Sequence, residues 1–144
     1  MTVLEQMERI ARGESPPPGI ATLLGFTMPE VERGRAVFEL ATDERHANPM
    51  GTVHGGVLCD LADAAMGTAY GTLLEEGESY TTLELKMNFL RPVWRTTLRA
   101  EGKLVGGGRT VGLAEARVTD DRGRLVAYAT STLMTLRGEQ AAGR

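Results

Sequence analysis

The residues best suited to chemistry in this chain are a histidine, two glycines and an aspartate at a short, fixed spacing. His54-Gly55-Gly56 precedes an apolar stretch, and Asp63 lies nine residues after the histidine, inside that stretch. A glycine pair that opens a helix leaves backbone N–H groups without intrahelical acceptors, so these groups can bind a carbonyl oxygen. A carboxylate among apolar neighbours is rare unless it has a partner or a function. The pattern therefore predicts chemistry at a carbonyl group.

Each of these residues also has a structural interpretation, which the sequence leaves open. His54 could be a helix cap, and Asp63 could be a hydrogen-bonded structural carboxylate. Asp60, three residues before Asp63, is an alternative base. Cys59 could be a nucleophile, although a cysteine in an apolar helix is usually unreactive. The only two histidines, His46 and His54, have a spacing that fits no common metal site, so we expect no metal.

The composition limits the classes of protein to consider. The 144 residues carry a net charge of −3 with scattered basic residues, which argues against nucleic acid or a membrane surface as a partner. No apolar run is long enough to cross a membrane. The amino terminus lacks the features of a secretory signal, and one cysteine cannot form an internal disulfide, so we expect a cytoplasmic protein. We expect a single domain, residues 1–144, with an N-terminal helix and cover segment at 1–26 and a frayed tail at 139–144.

Hydrophobic periodicity predicts the elements that must hold the candidate residues. Residues 57 to about 74 are apolar on nearly all sides, which predicts a buried helix. Gly67 and Gly71 within it predict a close approach by a backbone or a ligand. Alternating patterns predict one strand before this helix, at 35–42, and four after it, at 80–89, 96–105, 110–119 and 125–136. One long helix followed by sequential antiparallel strands predicts an α+β fold in which the sheet curls around the helix.

Several of these residues together resemble a known family. Asn48 lies six residues before His54, Asp63 lies nine after it, and residues 87–92 read Met-Asn-Phe-Leu-Arg-Pro. This set resembles the hotdog-fold acyl-CoA thioesterases of the phenylacetate-degradation (PaaI-like) type, and the resemblance covers residues 24–136. It implies a hotdog fold, in which a curved antiparallel sheet wraps around one central helix. It also implies hydrolysis of an acyl-CoA thioester to a free acid and coenzyme A, without a cofactor.

The resemblance assigns roles to particular residues of this chain. Asp63 is implied to be the nucleophile or the general base that activates water. The backbone N–H of Gly55 is implied to polarise the thioester carbonyl. Asn48 is implied to position the thioester or the water, and His54 to orient the loop that precedes the helix. All four roles agree with the carbonyl chemistry that the residue types predict.

Two further groups of residues complete the candidate site. In similar enzymes a hydroxyl residue at the position of Thr82 holds water, and Thr81 is the alternative if the spacing differs by one residue. Coenzyme A carries several phosphates, and arginines at strand ends, including Arg95, could bind them. The candidate substrate-binding residues are Gly56, Arg91, Gly108 and Arg109.

The spacing along the helix also predicts how the protein assembles. Gly55 and Asp63 are eight residues apart, so on one helix they lie about 12 Å apart along its axis. Reacting atoms must lie within about 3.5 Å of the groups that act on them, so one thioester cannot contact both residues of one helix. We therefore expect a two-fold homodimer with composite active sites, and the family implies that two such dimers form a homotetramer.

The sequence leaves alternatives open for the acyl group of the substrate and for the function itself. The main alternative to the enzyme is a non-catalytic hotdog module that binds acyl-CoA, which would have no need of a carboxylate at position 63. Hydratase chemistry on the same fold is a third interpretation, which the His-Gly-Gly arrangement argues against. The candidate pocket or cover residues, which fit an aromatic or a medium-chain acyl group, are Leu23, Leu24, Phe26, Met50, Met66 and Met87.

Overall fold

A computed structural model describes all 144 residues and shows a six-stranded antiparallel sheet packed against one long helix. The strand order is β1-β2-β4-β5-β6-β3, so β1 and β3 form the two edges of the sheet. No helix combines the length and the apolar character that crossing a membrane requires. The elements in chain order are α1 (Val3–Ala11), α2 (Gly19–Leu24), β1 (Thr27–Glu32), β2 (Arg35–Ala41), α3 (Gly55–Gly71), β3 (Ser79–Phe89), β4 (Thr97–Gly107), β5 (Val111–Thr119) and β6 (Leu125–Leu136), with short 3₁₀ helices at Glu44–His46 and Gly138–Ala141.

The expected α+β arrangement is present, with one strand more than the sequence predicted. The sequence did not predict β1, which pairs antiparallel with β2 and has a break in register between Thr27 and Glu30. Pro29 lies at this break, and proline is tolerated on an edge strand because its missing N–H removes no bond from the sheet interior. The residues after β6 form an exposed 3₁₀ turn at Gly138–Ala141, and the fraying expected at 139–144 stays a prediction.

Helix α3 lies close against the inner face of the sheet. Leu61, Ala62 and Ala65 have no exposed surface. A Cβ atom built on Gly102 of β4 would lie 2.4 Å from the backbone carbonyl carbon and oxygen of Ala65. Because that contact is with backbone atoms, no side-chain rotation can relieve it. The packing of α3 on β4 therefore depends on a glycine at position 102.

We expect Gly102→Ala to lower the free energy of unfolding by about 3 kcal/mol, because the added methyl group forces α3 away from the sheet. Gly106→Ala, in the same strand, is the matched control, since a Cβ at that position has no neighbour within 4 Å. Urea denaturation of both variants measures the difference. Equal destabilisation by the two substitutions would contradict the proposed contact.

The close approach expected at Gly67 and Gly71 is made in this structure by the side chain of Tyr80. A Cβ at Gly67 would lie 2.9 Å from Oη of Tyr80, and one at Gly71 would lie 3.0 Å from Cε1 of the same ring. The two glycines thus make room on α3 for an aromatic residue of β3. Tyr80 also packs edge-on against Tyr70, with 6.0 Å between the ring centroids. This packing fixes one end of β3 against the middle of α3.

Candidate active site

The first turn of α3 presents a backbone amide without an acceptor. His54 is the N-cap, and its Nδ1 accepts a hydrogen bond of 2.8 Å from the N–H of Gly56. The N–H of Gly55 donates to no atom of the chain. An unpaired N–H at the positive end of a helix dipole is suited to bind an oxygen that develops negative charge. The structure therefore leaves the Gly55 amide available, whereas the amide of Gly56 is occupied by His54.

Asn48 lies in the loop that leads to this turn, and the loop uses both ends of its side-chain amide. Its Nδ2 donates to Oγ1 of Thr52 at 2.6 Å, and its Oδ1 accepts from the N–H of Met50 at 3.0 Å. Its backbone N–H also donates to the Thr52 carbonyl at 2.7 Å. These bonds set the course of the loop towards His54. The role implied for Asn48 towards a thioester or a water molecule stays a prediction.

Asp63 lies two turns further along α3, where β3 passes beside the helix. The hydroxyl of Thr82 donates to Oδ1 of Asp63 at 3.1 Å. Successive residues of a strand point to opposite faces, so the side chain of Thr81 is directed away from Asp63. Of the two threonines considered from the sequence, the structure therefore places Thr82 beside the carboxylate. Asp63 itself is half-buried.

Asp63 and Thr82 form part of the wall of a cavity of about 740 Å³. The N-terminal part of the chain forms one side of this cavity, because α1, the proline-rich turn at residues 16–18, α2 and β1 all contribute to its wall. Phe26 is buried there and packs edge-on against Phe38, with 5.6 Å between the ring centroids. The apolar side chains of the wall include Met7, Ile10, Ile20, Phe26, Met28 and Phe38.

Only one of the six pocket residues suggested by the sequence lines this cavity, namely Phe26. Met66 has no exposed surface and packs in the core, whereas Met50 and Leu23 are exposed. The sequence reasoning missed Met7 and Ile10 of α1. Their helical spacing indicates an apolar face, but nothing in that spacing says that the face covers a carboxylate.

The ionisable groups around Asp63 respond to burial and to its charge. Partial burial of the carboxyl group, and then the charge of Asp63, raise the pKa of Asp60. Burial, followed by the charges of both aspartates, also raises the pKa of Cys59, so its thiol stays protonated and is a poor nucleophile. Burial raises the pKa of Tyr80 to about 12, with a smaller contribution from Asp63. Tyr80 lines the cavity and therefore keeps its proton there.

The candidate substrate-binding residues lie at opposite ends of α3. Arg91 lies two residues after Phe89, the last residue of β3, and the Phe89 ring would lie 3.0 Å from a Cβ at Gly55. Gly108 and Arg109 instead lie in the β4–β5 turn, beside a second cavity of about 490 Å³ at the carboxyl end of α3. A helix of 17 residues is about 25 Å long. Within one chain, Arg91 thus lies at the same end of α3 as the Gly55 amide, and Arg109 lies at the opposite end.

The arginines also differ in their partners. Arg95 pairs with Glu44 at 2.7 Å, whereas no carboxylate lies within 4.0 Å of Arg91 or Arg109. Both unpaired arginines are exposed, so they can accept an external anion. No three His, Cys, Asp or Glu side chains lie close enough together to ligate a metal ion.

A carboxylate at an apolar cavity and a free amide at a helix start, on a sheet packed around that helix, suit the hydrolysis of an activated carbonyl compound. Residues 50–127, more than half of the chain, match the sequence profile of the thioesterase superfamily. The chain belongs to this superfamily and has the hotdog fold, which confirms the resemblance found in the sequence. It is a thioester hydrolase.

Individual relatives agree with this assignment. A Saccharolobus solfataricus protein named as a candidate esterase is 35% identical over 107 residues, which cover 74% of this chain and 76% of that protein. The 1,4-dihydroxy-2-naphthoyl-CoA hydrolase of Listeria monocytogenes is 27% identical over 115 residues, which cover 80% of this chain and 94% of the relative. The crystal structure of a phenylacetic acid degradation-related protein from Ralstonia eutropha has a TM-score of 0.81 and 35% identity, and the match covers 89% of this chain and 98% of the other.

The contact between Thr82 and Asp63 yields a prediction about activity. We expect Thr82→Val to lower kcat for thioester hydrolysis by about tenfold, because Asp63 loses its hydrogen-bond donor and valine cannot hold a water molecule. Thr81→Val introduces the same change on the other face of β3 and is expected to leave kcat within about twofold. Steady-state kinetics of the two variants test this, and a larger loss in Thr81→Val would show that the wrong threonine is assigned.

Proposed function

We propose that this thioester hydrolase acts on acyl-CoA thioesters with an aromatic or medium-chain apolar acyl group. The observation that carries the proposal is the position of Asp63, hydrogen-bonded to Thr82 at the wall of a cavity of about 740 Å³ with many apolar side chains. An acyl chain in that cavity has its carbonyl carbon beside a carboxylate. The names of the relatives support this class, since one hydrolyses an aromatic CoA thioester and another is related to phenylacetic acid degradation.

In the proposed reaction Asp63 either takes a proton from water, which attacks the thioester carbon, or attacks that carbon itself. Negative charge then develops on the carbonyl oxygen, and the free N–H of Gly55 at the positive end of α3 stabilises it. Cleavage of the carbon–sulfur bond releases the coenzyme A thiolate, which takes up a proton. In the second route water then hydrolyses the acyl group from Asp63. The intermediate of the second route is a mixed anhydride, and attack of water on its Asp63 carbonyl carbon leaves a water oxygen in the carboxylate. Hydrolysis over many turnovers in ¹⁸O-labelled water, followed by mass spectrometry of the peptide that contains Asp63, therefore identifies this route by label in the enzyme, because the first route forms no bond to Asp63.

We propose further that each active site is shared between two protomers of a homodimer. Gly55 and Asp63 both lie on α3, about 12 Å apart along its axis, so one chain cannot bring both to one carbonyl group. The edge strand β3 supports pairing with a second chain, because it has eleven residues, and Leu83 and Phe89 on it are more than half exposed. The further association of two dimers into a tetramer stays a prediction.

We also propose that the phosphates of coenzyme A are bound by the exposed arginines that lack a carboxylate partner, Arg91 and Arg109. Arg91 lies at the end of α3 that carries the Gly55 amide, whereas Arg109 lies at the other end. In a composite site, the two arginines that bind one substrate molecule therefore come from different chains. Arg95 is the poorer candidate, since Glu44 already neutralises it.

Steady-state hydrolysis across a panel of acyl-CoA thioesters tests the proposed substrate class. Free thiol is measured for acetyl-, hexanoyl-, octanoyl-, benzoyl- and phenylacetyl-CoA. We expect kcat/KM for octanoyl- or phenylacetyl-CoA to exceed that for acetyl-CoA by about 10²-fold or more, because each buried methylene contributes about 0.8 kcal/mol. A flat profile would contradict the assignment of the cavity to the acyl group. Tight binding of these compounds without hydrolysis would favour a non-catalytic acyl-CoA-binding module.

A further inference from the structure

His46 is buried, with 4% of its surface exposed, and it does not line the cavity that contains Asp63. The backbone N–H of Asp43 donates to its Nδ1 at 3.0 Å, and its Nε2 lies 2.7 Å from the carbonyl oxygen of Leu24. Because a backbone N–H can only donate, Nδ1 is the acceptor and the ring proton is on Nε2. The ring therefore donates a hydrogen bond to the Leu24 carbonyl.

The bond to Leu24 fixes a wall of the acyl cavity. Leu24 is the last residue of α2, and Ile20 and Ala21 in the same helix line the cavity that contains Asp63. The final carbonyls of a helix have no intrahelical partner, and Gly25 ends this helix with a φ of 88°. The His46 ring supplies a donor to one of these carbonyls. It thereby ties the carboxyl end of α2 to the loop that precedes α3.

The backbone of the same residue supports the start of α3. The carbonyl oxygen of His46 accepts a hydrogen bond of 2.8 Å from the N–H of His54. His54 in turn caps α3 and stands next to the free amide of Gly55. Two hydrogen bonds, one from the ring and one to the backbone of His46, thus connect the cavity wall with the proposed oxyanion donor.

We infer that His46 is a positioning residue for thioester hydrolysis, and that its ring holds the α2 wall of the cavity in a fixed place relative to the start of α3. His46 acts through these hydrogen bonds and does not contact the substrate. The inference rests on the proposed use of the cavity for the acyl group. Loss of the bond between the ring and Leu24 should therefore weaken the binding of long acyl groups more than it slows the chemical step.

Two conservative variants test the two hydrogen bonds of the His46 ring separately. Asparagine can place its Oδ1 near the position of Nδ1 and accept from Asp43, but it is too short to reach Leu24. Glutamine can place its Nε2 near that of histidine and donate to Leu24. We expect His46→Asn to raise KM for octanoyl-CoA about five- to tenfold, with kcat and the parameters for acetyl-CoA within about twofold of the wild type. We expect His46→Gln to keep KM for octanoyl-CoA within about twofold.

A purely structural role predicts a different result. Loss of folded protein would lower the apparent kcat equally for all acyl groups, and glutamine would not restore the octanoyl KM. Equal effects of the two variants, or an unchanged octanoyl KM in His46→Asn, would therefore overturn the inference. Should His46→Asn not fold, a folded His46→Gln with near-normal octanoyl KM supports the inference, and failure of both variants to fold overturns it.

Hydrogen exchange gives a readout that does not need activity. Peptides covering residues 19–26 are expected to exchange about tenfold faster in His46→Asn than in the wild type, and close to the wild-type rate in His46→Gln. If the wild type hydrolyses none of the acyl-CoA thioesters, the proposed substrate class fails, while the exchange rates still test the bond to Leu24. Unchanged exchange in His46→Asn would show that the ring does not hold this wall.

Discussion

Replacing Asp63 with asparagine is expected to lower kcat for thioester hydrolysis by about 10²–10⁴-fold, the usual contribution of a positioned base. Asparagine has the same shape, and its Oδ1 can still accept the hydrogen bond from Thr82 that the structure shows at 3.1 Å. The variant should therefore fold, and KM should change little because the cavity wall is preserved. Steady-state kinetics at saturating acyl-CoA measure the loss directly.

Asp60→Asn is the matched control, because Asp60 is a carboxylate of the same helix, three residues earlier. Asp60, unlike Asp63, does not line the cavity. Removing this carboxylate is expected to leave kcat within about twofold, because the loss of a negative charge near Asp63 has only a weak effect. A loss in Asp60→Asn as large as that in Asp63→Asn would show that the base is wrongly assigned.

Removing the Gly55 amide is expected to have the second-largest effect on activity. Gly55→Pro deletes the N–H while suiting the first position of a helix, where proline is common. The preceding residue, His54, already has φ of −62° and ψ of 135°, which a following proline allows. We expect kcat to fall by about 10²–10³-fold, the typical cost of losing one oxyanion donor. Single-turnover rates compared with the wild type measure this loss.

Gly55→Ala controls for the added side-chain volume. Its Cβ meets the same ring carbon of Phe89, 3.0 Å away, but alanine keeps the backbone N–H. The contact is with the far end of a side chain and not with backbone, so a small rotation of the Phe89 ring makes room for the methyl group. We expect kcat for Gly55→Ala within about fivefold of the wild type. If the alanine and proline variants lose activity equally, steric displacement of Phe89 explains the loss and the amide has no special role.

The central helix and the strands after it were predictable because their hydrophobic patterns are strong and local. The predicted strand at residues 125–136 coincides with β6, and the others differ at their ends by one or two residues. The strand order was not predictable, since β3 pairs with β6 across about 45 residues of sequence. Such long-range pairing depends on the assembled core, which no local pattern contains.

The residues on α3 were easier to predict from the sequence than the cavity beside them. The cap formed by His54 and the position of Asp63 on the same helix follow from the sequence, and the family resemblance pointed to Thr82, with Thr81 as the alternative. A cover segment at residues 1–26 was expected, but most residues of the cavity wall were not, because the wall combines α1, α2 and β1 with α3 and β3. His46 could be recognised only as a histidine without a metal partner, since its bond to Leu24 joins residues 22 apart.

The most direct test of a shared active site is complementation between inactive chains. Asp63→Asn and Gly55→Pro chains are coexpressed with different tags, and the mixed dimers are isolated by two affinity steps. One of the two sites in a mixed dimer then contains both wild-type groups, so we expect about half of the wild-type kcat per dimer. Activity of the mixed dimers no higher than that of either parent variant would contradict a site built from two chains.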